Sequence, residues 1–139
     1  MNPDGPLTVY EVAAVHYRDQ WAWPAFAHDR SVWLVAGVDL AGIEVVAALA
    51  QQVHDRLCEA GIDGPVIGDL DGRRTFLAHC DRLRAPHLLR NDETIMHHGY
   101  RSMIDLPPTS GLVWVREPAA DLALPDCAVI LNLVDDAAT

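Results

Sequence analysis

The chain has 139 residues, half of them hydrophobic, and carries a formal net charge of −10. This length suits one domain spanning residues 1–139, and the apolar content is too high for a disordered chain. The acidic balance argues against sequence-independent nucleic-acid binding, which depends on Lys and Arg contacts to phosphates. No stretch resembles a membrane helix or a signal peptide, so we expect a cytoplasmic protein that does not contact membranes.

The three cysteines, Cys58, Cys80 and Cys127, are odd in number and widely spaced. This spacing matches neither a CxxC metal knuckle nor a disulfide framework. Because a free cysteine packs like a small hydrophobic residue, we predict that these thiols are buried.

The first predicted element is a helix that begins after Thr8. Thr8 and Glu11 have the spacing of a capping box, and an apolar face at helical spacing continues to about Gln20. Pro24 prevents the helix from continuing, so residues 21–26 are predicted to form an aromatic-rich turn that belongs to the core.

A buried strand and a long helix are predicted next. Residues 31–37 contain a short apolar run typical of a buried strand. From Ala41 to Glu59, apolar residues recur at helical spacing and Glu44 lies on the polar side, so we predict one long amphipathic helix that ends at Gly61.

The remainder of the chain indicates an antiparallel sheet and a closing element. Asp71-Gly72 joins two predicted strands, 65–68 and 74–78, as a hairpin. Residues 86–92 are predicted to form a loop, and 94–98, 101–106 and 112–115 further strands. Asp126 could cap a final helix with an apolar face, although the pattern does not exclude a strand there. The order predicts an α+β fold in which helices pack on one face of a mainly antiparallel sheet.

A basic segment stands out in this acidic chain. Between residues 73 and 101 lie six Arg against three acidic residues, together with four His. Arg73, Arg74 and Arg101 are therefore candidate ligands for an anion, the alternative being a solvated loop and hairpin. His97 and His98 are candidate acid, base or anion-donor groups. Adjacent strand residues point to opposite faces, so the two His do not predict a metal site.

Three further side chains are candidates for a site. Asp39 follows the first buried strand, although it could equally stabilise a helix N-terminus. Trp33 and Trp114 could line an apolar ligand pocket. The sequence contains no nucleophile elbow, P-loop or dinucleotide fingerprint, and it predicts no cofactor.

In segment order the chain resembles short actinobacterial relatives of the bifunctional DNA primase/polymerase N-terminal domain, in the archaeo-eukaryotic primase superfamily. The resemblance covers about residues 10–134 and rests on order and pattern. The similar parts are the Trp23-Pro24 turn, the strand and helix from Val32 to Leu57, the run from Gly64 to Leu77, and Gly99-Tyr100 through Pro107-Pro108-Thr109 to Trp114.

The resemblance implies a primase/polymerase-like scaffold, yet the catalytic motifs of that family are incomplete here. Asp39 lacks an acidic partner two residues away, Thr75 stands where the family has His, and only Glu93 could replace a later acidic residue. Two-metal nucleotidyl transfer needs several converging carboxylates. The resemblance therefore argues for the scaffold and against the reaction.

Three functions follow as hypotheses. The first is a catalytically degenerate domain that binds a small anionic ligand or a protein partner. The second is an accessory enzyme of small-molecule metabolism, with a Trp-lined pocket and His and Arg as polar groups. The third is a homo-oligomer that pairs through an exposed strand edge. The sequence leaves open whether the protein is an enzyme.

Overall fold

A computed structural model describes residues 7–37, 40–79, 94–98, 102–119 and 124–138. These residues form three helices and eight strands in an α+β arrangement. The elements in chain order are α1 (Val9–Trp21), β1 (Ala25–His28), β2 (Ser31–Val35), β3 (Ala41–Val45), α2 (Ala47–Glu59), β4 (Val66–Gly68), β5 (Arg74–Ala78), β6 (Ile95–His98), β7 (Met103–Leu106), β8 (Val113–Arg116) and α3 (Cys127–Ala138).

The strands form two sheets. One has three strands in the order β1-β2-β7, and the other has five in the order β6-β3-β5-β4-β8. Every pairing between these strands is antiparallel. The predicted α+β class with a mainly antiparallel arrangement is therefore confirmed.

Two hydrophobic clusters hold these layers together. Helices α2 and α3 pack on one face of the five-stranded sheet, where Ile43 and Val45 of β3 are fully buried. The second cluster joins α1 and the three-stranded sheet to Ile67 and Leu77, which belong to β4 and β5. Because neighbouring strand residues point to opposite faces, Ile67 and Leu77 extend from the face opposite α2 and α3. Helix α1 thus packs with the smaller sheet, apart from the other two helices.

The predicted long helix from Ala41 to Glu59 is wrong over its first part. Residues 41–45 form β3, which pairs with β5 on one side and β6 on the other, and α2 begins only at Ala47. Ile43 and Val45 are β-branched and suit a strand between two neighbours. Local helical spacing does not reveal that pairing.

Several local predictions are confirmed. Thr8 and Glu11 form a reciprocal capping box at the start of α1. Gly72 has φ 88° in the turn between β4 and β5, a backbone conformation that favours glycine. The closing element is a helix, α3, whose first turn is capped by Asp126. Its buried residues are Cys127, Ile130, Leu131 and Val134.

The cysteine prediction is correct for one residue and wrong for another. Cys127 is buried in the core, but Cys58 is exposed near the end of α2. It faces outward because Val53 and Leu57 already form the buried side of α2. Cys80 and the predicted loop at 86–92 lie outside the described residues. Among those that are described, no helix is long and apolar enough to cross a membrane.

Candidate functional site

A cleft of 220 Å³ lies where the five-stranded sheet meets β7 of the smaller sheet. Strands β3, β5, β6 and β7 and the β4–β5 hairpin contribute its polar side chains. The polar lining residues are Glu44, Asp69, Arg73, Thr75, His98 and Asp105. Glu44 extends from the face of the sheet opposite α2 and α3, because Ile43 beside it is buried in the core with those helices. His98 lies an odd number of residues from the buried Ile95 on β6 and therefore extends from the same face as Glu44.

The register of the sheet brings the cleft residues together. Glu44 pairs with Thr75 across β3 and β5, and Gly42 pairs with His98 across β3 and β6. A Cβ atom at Gly42 would lie 3.0 Å from side-chain atoms of both Ile104 and Thr75. Glycine at this position therefore lets β7 approach the larger sheet, and residues of β7 line the cleft.

Glu44 lies at the centre of the charged groups. One carboxylate oxygen, Oε2, is 3.4 Å from Nη1 of Arg73, and the other, Oε1, is 3.4 Å from Nε2 of His98. The side chains of Glu44 and His98 are 24% and 22% exposed, whereas that of Arg73 is 52% exposed. Because solvent screens the Arg73 contact, it contributes little to stability. Arg73 and His98 therefore contact different oxygens of the same carboxylate.

Asp69 organises the hairpin that carries Arg73. Its Oδ1 accepts hydrogen bonds from the backbone N–H groups of Asp71 at 2.8 Å and Arg73 at 3.0 Å. The backbone N–H of Asp69 donates to the carbonyl of Arg73 at 3.1 Å. This Asx-type turn holds the backbone of Arg73 at the edge of the cleft.

The described lining of the cleft is acidic overall. Three carboxylates, Glu44, Asp69 and Asp105, stand against the single guanidinium of Arg73, and His98 is neutral unless it is protonated. Within the described ranges, no group of three or more His, Cys, Asp or Glu side chains is arranged to hold a metal ion. The cleft thus offers both hydrogen-bond donors and acceptors to a ligand.

The predicted site residues do not all meet in this cleft. Arg73 and His98 do, but the neighbouring Arg74 contacts α2, where its Nη1 lies 3.0 Å from Nδ1 of His54 and its Nη2 donates to Gln51 at 2.7 Å. The backbone of His97 pairs with Ile43. Asp39 and Arg101 lie outside the described residues, as do most of the Arg residues of the basic segment.

The surroundings of His54 lower the pKa of its imidazole. Partial burial lowers the pKa of His54, and the positive charges of Arg74 and Arg116 lower it further. A neutral imidazole can accept a hydrogen bond from the Arg74 guanidinium through Nδ1. Arg74 is therefore engaged in a structural contact on the helical side of the sheet.

The two predicted pocket tryptophans belong to different clusters. Trp33 lies on the smaller sheet against Phe26 and His28, with ring centroids 5.4 and 4.8 Å away. Trp114 packs against Tyr17 and Trp23. Neither is among the described residues that line the cleft beside His98. The Trp-lined pocket with His and Arg is thus not assembled from these residues.

Glu44 is the central residue that sequence reasoning missed. The prediction of a helix over residues 41–59 assigned it to a solvated face. Alternation of small or apolar residues with Glu44 in Ala41–Val45 is a period-two signal typical of a strand with one polar position facing away from the core. Asp105 shows the same alternation between Ile104 and Leu106.

Comparison with known proteins gives no match: no protein-family model, no curated protein and no solved structure is significantly similar to this chain.

Proposed function

We propose that the chain is a primase/polymerase-like domain that acts as a binding module and takes a small polar ligand into the cleft around Glu44. The ligand carries one anionic group, for Arg73 and His98, and at least one hydrogen-bond donor, for the carboxylates. The scaffold part of this proposal is supported by the segment order of the sequence and is compatible with the α+β fold. The binding part is supported by the geometry of the cleft.

The observation that carries the proposal is the position of Glu44 between Arg73 and His98, at 3.4 Å from each. A carboxylate held by two such groups occupies the place that the anionic group of a ligand can take. The exposed guanidinium of Arg73 carries five N–H donors in a fixed fork and can bind a carboxylate or phosphate with two hydrogen bonds. Glu44 then becomes available to the donor group of the ligand.

The charge of the lining limits the ligand. Glu44, Asp69 and Asp105 disfavour a ligand with several negative charges, because only Arg73 offers a permanent positive charge among the described lining residues. A volume of 220 Å³ also suits a small molecule or one end of a larger one. These two limits favour a compact acid that also carries hydroxyl, amino or amide groups.

The same arrangement favours binding over metal-dependent nucleotidyl transfer. That reaction needs several carboxylates to converge on two ions. Both oxygens of Glu44 face cationic or donor groups, and Oδ1 of Asp69 accepts two backbone N–H groups. Glu44 and Asp69 thus already have partners inside the protein, and these contacts compete with metal coordination.

Isothermal titration calorimetry with two matched pairs of probes tests this function. Lactate is compared with lactamide, and glycolate with glycolamide, so that each pair differs only in having a charged carboxylate or a neutral amide. We expect at least one acid to bind saturably and its neutral counterpart to bind at least tenfold more weakly, as loss of a charge-assisted bidentate contact implies.

Two neighbouring substitutions provide the matched control. Arg73→Gln removes the cationic group from the cleft and should abolish the preference for the acid. Arg74→Gln makes the same change one residue away, on the helical side of the sheet, and should leave binding unaltered. Equal binding of acids and neutral counterparts, or equal losses in the two variants, would contradict the proposal.

A further inference from the structure

A second concave region lies beside the turn between α1 and β1, away from the cleft. It consists of two adjoining cavities of 420 Å³ each, and Trp21, Ala22, Trp23 and Leu124 line both of them. The two adjoining cavities are together called the groove here. The volume of each lies within the range of small-molecule sites.

Aromatic rings form the centre of the groove. The rings of Trp21 and Trp23 lie 5.6 Å apart, and Tyr17 stacks on Trp23 at 5.8 Å with an interplanar angle of 24°. Trp23 is largely buried and Trp21 is partly exposed, so Trp21 is the indole ring that a ligand in the groove can contact most readily. Pro24, Pro65 and Pro118 add apolar surface.

The charged residues among the described lining of the groove are all acidic. Asp19 and Glu117 both line it, and no Arg or His is found among the described residues that line either cavity. Burial raises the pKa of Tyr17, and the negative charge of Glu117 adds to that rise although a hydrogen bond from Trp114 opposes it. The negative charge of Glu117 therefore acts on Tyr17, which packs against Trp21 and Trp23.

We propose that the groove is a binding site for a small organic cation of the alkylammonium class. The electron-rich faces of indole rings attract a cation within about 6 Å, and tryptophan is the most effective of the aromatic residues. Two carboxylates at the same groove supply the complementary charge, and the apolar walls suit the alkyl groups. An anionic or neutral ligand would contact the apolar walls but would gain nothing from the two carboxylates or from cation–π contacts.

The test is calorimetric titration of the full chain with choline and with 3,3-dimethylbutan-1-ol, in which a carbon atom replaces the charged nitrogen. We expect saturable binding of choline and at least tenfold weaker binding of the neutral analogue, because both the cation–π and carboxylate contacts require the charge. Raising the salt concentration should weaken the binding of choline.

Single substitutions complete the test. Glu117→Gln should weaken choline binding by about fivefold, as expected for one partly screened charge, and Trp21→Leu by a similar factor. Glu59→Gln makes the same chemical change on α2, outside the groove, and should have no effect. Absence of saturable choline binding, equal binding of the neutral analogue, or equal effects of Glu117→Gln and Glu59→Gln would overturn the proposal.

Discussion

The indole N–H of Trp114 donates a hydrogen bond of 3.0 Å to the hydroxyl of Tyr17, 97 residues away in sequence. That hydroxyl donates in turn to the backbone carbonyl of Pro107. The chain of bonds links β8 of the larger sheet, helix α1 and the turn after β7. Neither sheet alone supplies all of these bonded groups, so the bonds favour one relative placement of the two sheets.

The first prediction compares two tryptophans. Trp114→Phe should destabilise the protein by about 1–3 kcal/mol, because it leaves the Tyr17 hydroxyl without its donor. In contrast, Nε1 of Trp21 is buried without a hydrogen-bond partner among the described residues. Trp21→Phe removes a donor whose burial already costs free energy, so it should be the less destabilising change.

Urea unfolding of both variants measures the difference. Both side chains are partly exposed and each substitution removes the same atoms, so the main difference between the two variants is the hydrogen bond of Trp114. A Trp21→Phe variant that loses as much stability as Trp114→Phe, or more, would show that the bond between Trp114 and Tyr17 does not hold the sheets in place.

The second prediction concerns His54. Burial and the charges of Arg74 and Arg116 lower its pKa below the ordinary value of 6.5. Because the unfolded chain then binds the proton more readily, the stability that neutral His54 contributes is present above pH 6.5 and is lost as the pH falls below it. NMR titration of the His54 ring protons measures the pKa directly.

Arg74→Gln removes one of the causes of this shift. We expect the pKa of His54 to move upward toward 6.5 in that variant, while Arg73→Gln on the other side of the sheet leaves it unchanged. Identical titration curves for His54 in the wild type and in Arg74→Gln would contradict the assignment of Arg74 to the helical side.

The third prediction tests the close contact between the sheets. Gly42→Ala would place a methyl group 3.0 Å from Ile104 and from Thr75, so we expect a loss of about 1–3 kcal/mol from overpacking. Gly37→Ala is the matched control, because a Cβ atom there meets nothing within 4 Å. Thermal unfolding should separate the two variants, and equal midpoints would mean that β7 does not approach β3 as described.

The fourth prediction concerns the reaction of the family that the sequence resembles. Primer extension with DNA, deoxynucleotides and Mg²⁺ or Mn²⁺ should give no labelled product, because Glu44 and Asp69 are engaged by side-chain and backbone groups. Glu44→Gln and the wild type should therefore behave alike. If the wild type extends the primer and Glu44→Gln does not, the protein is a polymerase and the proposed function is wrong.

Local signals in the sequence predict much of this fold. The Thr8–Glu11 capping box, the Asp71-Gly72 turn and the apolar face of α3 each depend on residues within a few positions of one another. Strand β3 carries only a short local signal, the period-two alternation of Ala41–Val45, because the pairing with β5 and β6 that defines it joins residues about thirty to sixty positions apart. The helical spacing of residues 46–58 also fits residues of β3, so β3 and α2 were predicted as one helix.

The candidate site was predicted only in part for the same reason. Arg73 and His98 were found from the basic segment, but their common partner Glu44 follows from the sheet register. The adjacent residues Arg73 and Arg74 have the same chemistry and opposite environments. Sequence alone cannot assign one to the cleft and the other to α2 until the face of β5 that packs on the helices is known.

The most direct measurement is a crystal structure of the protein soaked with the acid that binds most tightly in calorimetry. We predict density in the cleft, with the anionic group of the ligand bonded to the guanidinium of Arg73 and Glu44 turned toward a donor group of the ligand. An empty cleft, with the acid bound elsewhere and the Arg73–Glu44–His98 contacts intact, would contradict the account.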